Sequence, residues 1–140
     1  MTLAEQVASL RRTINRLLSR RLAEQSERPF QQLCALRTIA QGDAQTQAEV
    51  SEFLIVDPPA VSRMVDKLEE DGLLRRLPGK DRRCLRLEAT DAAKPEIEAL
   101  VANLEWLDGE VLKHLSRDEV DTLMRLMAKL QAGIVEAGGR

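Results

Sequence analysis

Arginine is the residue whose type and spacing stand out in this chain. Between residues 72 and 87, Arg75, Arg76, Lys80, Arg82, Arg83 and Arg86 meet a single acid, Asp81, for a net of +5. Residues 9–28 carry Arg11, Arg12, Arg16, Arg20, Arg21 and Arg28 against Glu24 and Glu27, a net of +4. Residues 88–125 reverse the sign with ten acids against four bases, and the whole chain comes to −2 at pH 7. A planar guanidinium forks onto a phosphate or a guanine edge. Arginines crowded into one stretch of an otherwise acidic chain therefore aim that stretch at a polyanion. A solvated surface run is the alternative reading of the same charges.

Other chemistry is sparse. A single histidine, His114, and two distant cysteines, Cys34 and Cys84, do not make a zinc site, and no cofactor is expected. The cysteine usage suits a reducing cytoplasm better than a disulfide scaffold. No Gly-rich phosphate loop or His-acid-nucleophile set is recognisable, so the chain does not read as an enzyme. Aromatics are 2% with no Tyr, which argues against base-stacking platforms for single strands. Apolar runs fall far short of the roughly 18 residues of a membrane span, and no apolar block follows the N-terminal charges as in a signal peptide. At 140 residues and 44% hydrophobic content, one packed domain with an oligomerisation extension is expected.

The elements that must carry the arginines follow from periodicity. Leu3, Val7, Leu10, Ile14 and Leu17 recur at spacings of four and three, a narrow seam of the kind that pairs helices between chains. Pro29 fits the first turn of a second helix with Phe30, Leu33, Leu36 and Ile39 on its apolar face, ended by Gly42 and Asp43. Thr46 and Glu49 form a capping box for a third helix bearing Val50, Phe53 and Leu54. Asp57 caps a fourth with Pro58 at its first position. Val61, Met64, Val65 and Leu68 form its buried face, and Gly72 stands where a left-handed cap is wanted. Two short helices joined by a tight turn are a helix-turn-helix.

A basic hairpin comes next, turning at Pro78 and Gly79, with Leu85 and Leu87 inward and Cys84 and Arg86 outward by strand alternation. Two further helices close the chain. Leu100, Leu104, Leu107 and Val111 stripe the first. The second opens on the Ser116/Glu119 box and carries Val120, Leu123, Met127, Leu130 and Ile134. Seams at both ends predict terminal helices that pack across a two-fold axis, the alternative being an intrachain bundle. The expected fold is mainly α with a small β-wing. It is a winged helix-turn-helix (29–90) between an N-terminal dimerisation helix (1–28) and C-terminal helices (91–140).

This order strongly resembles the multiple-antibiotic-resistance regulator (MarR) family over essentially the whole chain. The most specific stretch runs from Pro59 to Leu73 and is followed by Asp81-Arg82-Arg83, similar to the family's recognition helix and Asp-x-Arg wing. Ala89 and Ala93 depart from the usual leucine and glycine near the start of the fifth helix. Pro58-Pro59-Ala60 replaces the hydroxyl residues common in relatives, so base contacts cannot be copied there.

The outward set of the fourth helix is Pro59, Ala60, Ser62, Arg63, Asp66 and Lys67. Only its N-terminal half can reach base edges in a major groove. Arg63 suits a bidentate guanine contact or a phosphate clamp, Ser62 a phosphate or base edge, and Ala60 a thymine methyl. Asp66 and Glu69 oppose a polyanion, so they are expected to pair with Lys67 or Arg63 or to face away. The resemblance implies that Arg82 enters the minor groove while Asp81 braces Arg83. Arg75, Arg76 and Arg86 read as phosphate partners or wing salt bridges, with Lys80 beside them. A dimer would set two recognition helices roughly 34 Å apart on a pseudo-palindromic double-stranded operator.

Repression is what the resemblance implies, with activation open. It further implies release by a small aromatic or phenolic acid, for which Arg11, Arg12 and Arg16 offer a cation. Exposed arginines near DNA or the seam are the plainer reading of those three. A ligand-independent regulator, a winged-helix protein-interaction module and a thiol sensor at Cys34 are the alternatives. Cys34 lies on or beside an apolar face, which favours a buried inert thiol.

Overall fold

Helix α1 (Leu3–Ala23) starts from a full capping box. The Thr2 hydroxyl accepts from the Glu5 N–H at 3.2 Å, and the Glu5 carboxylate accepts from the Thr2 N–H at 2.7 Å. The structure, a computed structural model, describes residues 1–80 and 84–138. After α1 come α2 (Phe30–Ala40), α3 (Gln47–Leu54), α4 (Pro58–Glu70), β1 (Leu74–Pro78) and β2 (Leu85–Ala89). A 3₁₀ turn at Asp91–Ala93 leads into α5 (Lys94–Val111), and α6 (Arg117–Ala137) follows. The chain divides into two compact units, Met1–Asn103 and Leu104–Arg140.

The first unit holds the core. Ala35, Leu36 and Ile39 of α2, Val50 of α3, and Val61, Val65 and Leu68 of α4 are buried together. Ala44, Leu73, Leu74, Leu87 and Ala93 complete the cluster. The expected apolar face of α4 is thus largely realised, with Met64 packed at its edge. Helix α1 is fixed to α5 by Asn103, which is buried. Its amide donates to Gln25 Oε1 at 3.0 Å, and its carbonyl accepts from Arg21 Nε at 3.1 Å. A buried amide satisfied on both sides is a directional anchor, because losing either partner leaves a desolvated polar group.

Strands β1 and β2 pair antiparallel, with Leu74 opposite Ala89 and Pro78 opposite Leu85. The base of this hairpin is tied down by Leu87 N–H to Gln45 O at 2.7 Å and by Thr90 N–H to Leu73 O at 3.0 Å. A Cβ at Gly79 would run into the Cys84 carbonyl, so the strand end requires glycine. In the second unit, α6 begins at the Ser116/Glu119 capping box and contains no buried residue.

Three expectations are corrected. Leu85 does not point into the core. It stays 48% exposed because it pairs with Pro78 at the far end of the hairpin, while only Leu87, nearer the base, reaches the core. Pro29 is the cap of α2 rather than part of its first turn, since its ψ of 140° is extended. The Thr46/Glu49 box is half formed. The Thr46 hydroxyl accepts from the Glu49 N–H at 3.2 Å, but it also donates to the Glu49 carboxylate at 3.3 Å, which therefore serves the hydroxyl.

Candidate nucleic-acid interface

Helix α4 is built to present its N-terminal end. The Asp57 carboxylate accepts from the Ala60 N–H at 2.9 Å and Pro58 occupies the first helical position, so the helix starts abruptly. At its other end Gly72 adopts φ +78°, and the Leu73 N–H returns to Leu68 O at 2.9 Å. With Val61, Val65 and Leu68 buried, Pro59 and Arg63 are exposed and Ala60 and Ser62 are half-buried at the edges of the same face. Among the described residues Arg63 makes no ion pair, so its guanidinium is available to an outside acceptor.

The turn before α4 carries backbone strain. Ile55 closes α3 with φ +55°, a left-handed conformation that β-branched residues rarely adopt. Three bonds hold it: Ile55 N–H to Ser51 O, Val56 N–H to Ser51 O at 3.1 Å, and the Ser51 hydroxyl to Val56 O. Arg11 Nη2 reaches from α1 to donate to Leu54 O at 3.0 Å.

The cations fall into two groups. Arg75 pairs with Glu88, its partner across the strand ladder. Arg76 bonds Asp66, Glu69 and Gln47. Lys67 lies 3.3 Å from Asp71, which Arg28 also holds at 3.0 Å. The Arg28 hydrogen bond, assisted by Lys67, keeps the Asp71 carboxyl below the usual carboxylate range against a smaller effect of burial. Asp66 and Glu69, expected to pair with Lys67 or Arg63 or to face away, instead both serve Arg76.

Lys80 and Arg86 form the second group. Both are exposed and free of ion pairs among the described residues, and they line one groove with Thr46 and Glu49 at the start of α3. Asp81, Arg82 and Arg83, the expected wing tip, lie outside the described residues. Arg12 and Arg16 are exposed on α1, and Arg11 is committed to the α3 carbonyl rather than converging with them on a pocket.

Burial pushes the Cys34 thiol up to about 11, against the pull of Arg11 and Arg37, so near neutral pH it is the poorly nucleophilic thiol. That works against a redox sensor there. Among the described residues no three His, Cys, Asp or Glu side chains cluster to hold a metal, and no helix is long and apolar enough to cross a membrane.

A capped helix-turn-helix whose second helix is solvent-facing at its start, followed by a basic antiparallel hairpin, defines a winged helix-turn-helix. Residues 31–85 match the model of the MarR family. Wild-type apo MarR from E. coli superposes with a TM-score of 0.79 at 28% identity, over 93% of this chain and 97% of that one. A cysteine-to-serine variant of E. coli MarR complexed with operator DNA gives 0.72 at 28% identity, over 91% and 92%. The transcriptional regulator SlyA gives 0.75 at 20% identity, over 98% and 96%, a likeness of fold. Residues 31–85 thus match the MarR family's model and the chain as a whole is similar to MarR; members of that family are transcriptional regulators and not enzymes.

Proposed function

We propose that this protein is a homodimeric, sequence-specific reader of double-stranded DNA that represses transcription by occupying a pseudo-palindromic operator. The observation that carries the reading is α4. Its start is exposed, its acids at Asp66 and Glu69 are engaged by Arg76, and its unpaired Arg63 stands within reach of a groove. Arg63 takes the base contact, a bidentate bond to guanine, with Ser62, Ala60 and Pro59 beside it. Lys80 and Arg86 meet phosphates, and Arg82 enters the minor groove with Asp81 bracing Arg83. Operator binding by E. coli MarR supports this assignment by likeness of fold and sequence.

The dimer is supported by apolar residues left exposed at both ends of the chain. Leu3, Val7, Leu10 and Leu17 of α1 and Leu123, Met127, Leu130 and Ile134 of α6 are all accessible. Seams at three-four spacing are complete only against another helix. Release by a small aromatic acid that prefers a non-binding arrangement belongs to the same reading, with Arg12 and Arg16 as the accessible cations.

Selection of bound duplexes from a random pool tests the proposal. The expected product is a two-fold symmetric motif with half-sites about one turn of DNA apart, bound with a steep salt dependence. Indifference to duplex DNA in dilute buffer would overturn it. Adding a panel of aromatic acids to the bound complex tests release.

A further inference from the structure

Arg75 and Arg76 are adjacent in β1, and strand alternation sends their side chains to opposite faces. Arg75 stays on the outer ladder with Glu88 and is 60% exposed, whereas Arg76 is only 19% exposed. Its Nη2 donates to Asp66 Oδ1 at 2.6 Å and to Gln47 Oε1 at 3.0 Å. Its Nη1 donates to Glu69 Oε1 at 2.7 Å, and its backbone N–H donates to Glu69 Oε2 at 3.2 Å. One guanidinium thus joins the helix before the turn, the helix after it and the first strand of the wing.

We infer that Arg76 is a positioning residue for the DNA-reading helix and makes no DNA contact of its own. The inference rests on the proposed role of α4. Asp66 and Glu69 are three apart and share one side of that helix, so a forked group gripping both fixes its rotation about its axis. Gln47 extends the grip to α3, so the two helices and the wing are set as one unit. The same bonds engage two carboxylates that would otherwise repel phosphates. Burial opposes the Arg76 charge, but the bonds to Asp66 and Glu69 outweigh it and hold the guanidinium more firmly protonated than usual. Lysine could not replace it, because an ammonium lacks the planar fork.

The test compares an operator duplex, recovered by selection, with a scrambled duplex of equal length, by fluorescence anisotropy across a salt series. Wild-type protein must first prefer the operator; failure there would sink the reading of α4 and this inference with it, whereas the variants below test the brace alone. Given that preference, Arg76→Ala is expected to weaken operator binding by roughly tenfold or more and scrambled binding by a smaller factor, through the freed carboxylates, so that the operator-to-scrambled ratio falls while the salt slope changes little. Equal loss on both duplexes, with the slope reduced by about one, would make Arg76 a phosphate contact and overturn the inference. An unchanged preference would overturn it as well. Should Arg76→Ala fail to fold by circular dichroism, Asp66→Asn decides. That variant weakens one leg of the brace, since its amide oxygen still accepts but carries no charge, and the operator-to-scrambled ratio should fall by about threefold. A constant or rising ratio in the folded Asp66→Asn protein counts against the brace.

Discussion

Helices α4 and α6 carry apolar stripes of similar spacing and meet opposite surroundings. In α4, Val61, Val65 and Leu68 are fully buried by α2, α3 and the hairpin base. In α6, a longer helix of 21 residues, Leu123, Met127, Leu130 and Ile134 are all exposed. Periodicity tells which face of a helix is apolar but does not say what covers it. The stripe of α4 is answered by complementary short elements between Ala35 and Ala93. That of α6 is continuous and one-sided along nearly its whole length, the form expected when a second long helix supplies the other half.

The sharpest way to break this comparison is to place charges on the α6 stripe. Leu123→Glu with Leu130→Glu would put four carboxylates into the proposed two-fold interface. The dimer dissociation constant should rise roughly a thousandfold or more, since each buried leucine is worth about 2 kcal/mol before the cost of burying charge. Sedimentation equilibrium at micromolar concentration reads the outcome, and operator affinity should fall with it. A variant that remained dimeric would mean that α6 is covered in some other way.

The matching change in α4 is Leu68→Ala, which leaves a cavity in a core shared by α2, α3 and both strands. A loss of about 2–5 kcal/mol in unfolding free energy is expected, read by denaturant titration. Dimer mass should persist at temperatures where the variant remains folded. Together the two variants test whether the α4 stripe holds the subunit together while the α6 stripe joins it to a second copy, as proposed.

Local signals were the legible part of the fold. Asp57 before Pro58, Ser116 before Glu119 and Gly72 at a left-handed position each act within one helical turn, and the structure places all three as read. What could not be read depends on distance in the chain. Asp66 and Glu69 offered Lys67 and Arg63 as neighbours on their own helix, yet their partner is Arg76, brought back by the reversal at Gly72 and the start of the wing. The available signal was the adjacency of Arg75 and Arg76 in a strand, which obliges one of them to face inward. Leu85 misled for a related reason. Alternation fixes its face, but the core ends before the hairpin does. For the proposed DNA-facing set, exposure of Pro59 and Arg63 was readable by subtraction from the buried face, while the free or committed state of each arginine was not.

Arg63→Ala sharpens the comparison at the exposed side of α4. Removing an unpaired, exposed side chain should leave stability within about 0.5 kcal/mol of wild type. Loss of a bidentate guanine contact should cost about 1–3 kcal/mol of discrimination at one base position in each half-site. The motif recovered by selection should therefore relax at that position and keep its spacing. Uniform weakening on every sequence would instead mark Arg63 as a phosphate clamp.

The smallest expected effect lies in the turn that launches α4. Ile55 adopts φ +55° with its side chain 77% exposed, so isoleucine bears a left-handed backbone and gains little from burial. That conformation costs an ordinary residue about 1–2 kcal/mol, whereas glycine enters it freely and loses about 0.5–1 kcal/mol through the greater freedom of its unfolded chain. Ile55→Gly should therefore raise unfolding free energy by about 0.5–1 kcal/mol, measured by denaturant titration, with the Ser51 and Arg11 bonds to this turn retained. A loss of stability would show that the isoleucine side chain is covered in the assembled protein. Its exposure in the single chain would then have the same meaning as that of the α6 stripe, a surface completed by another copy.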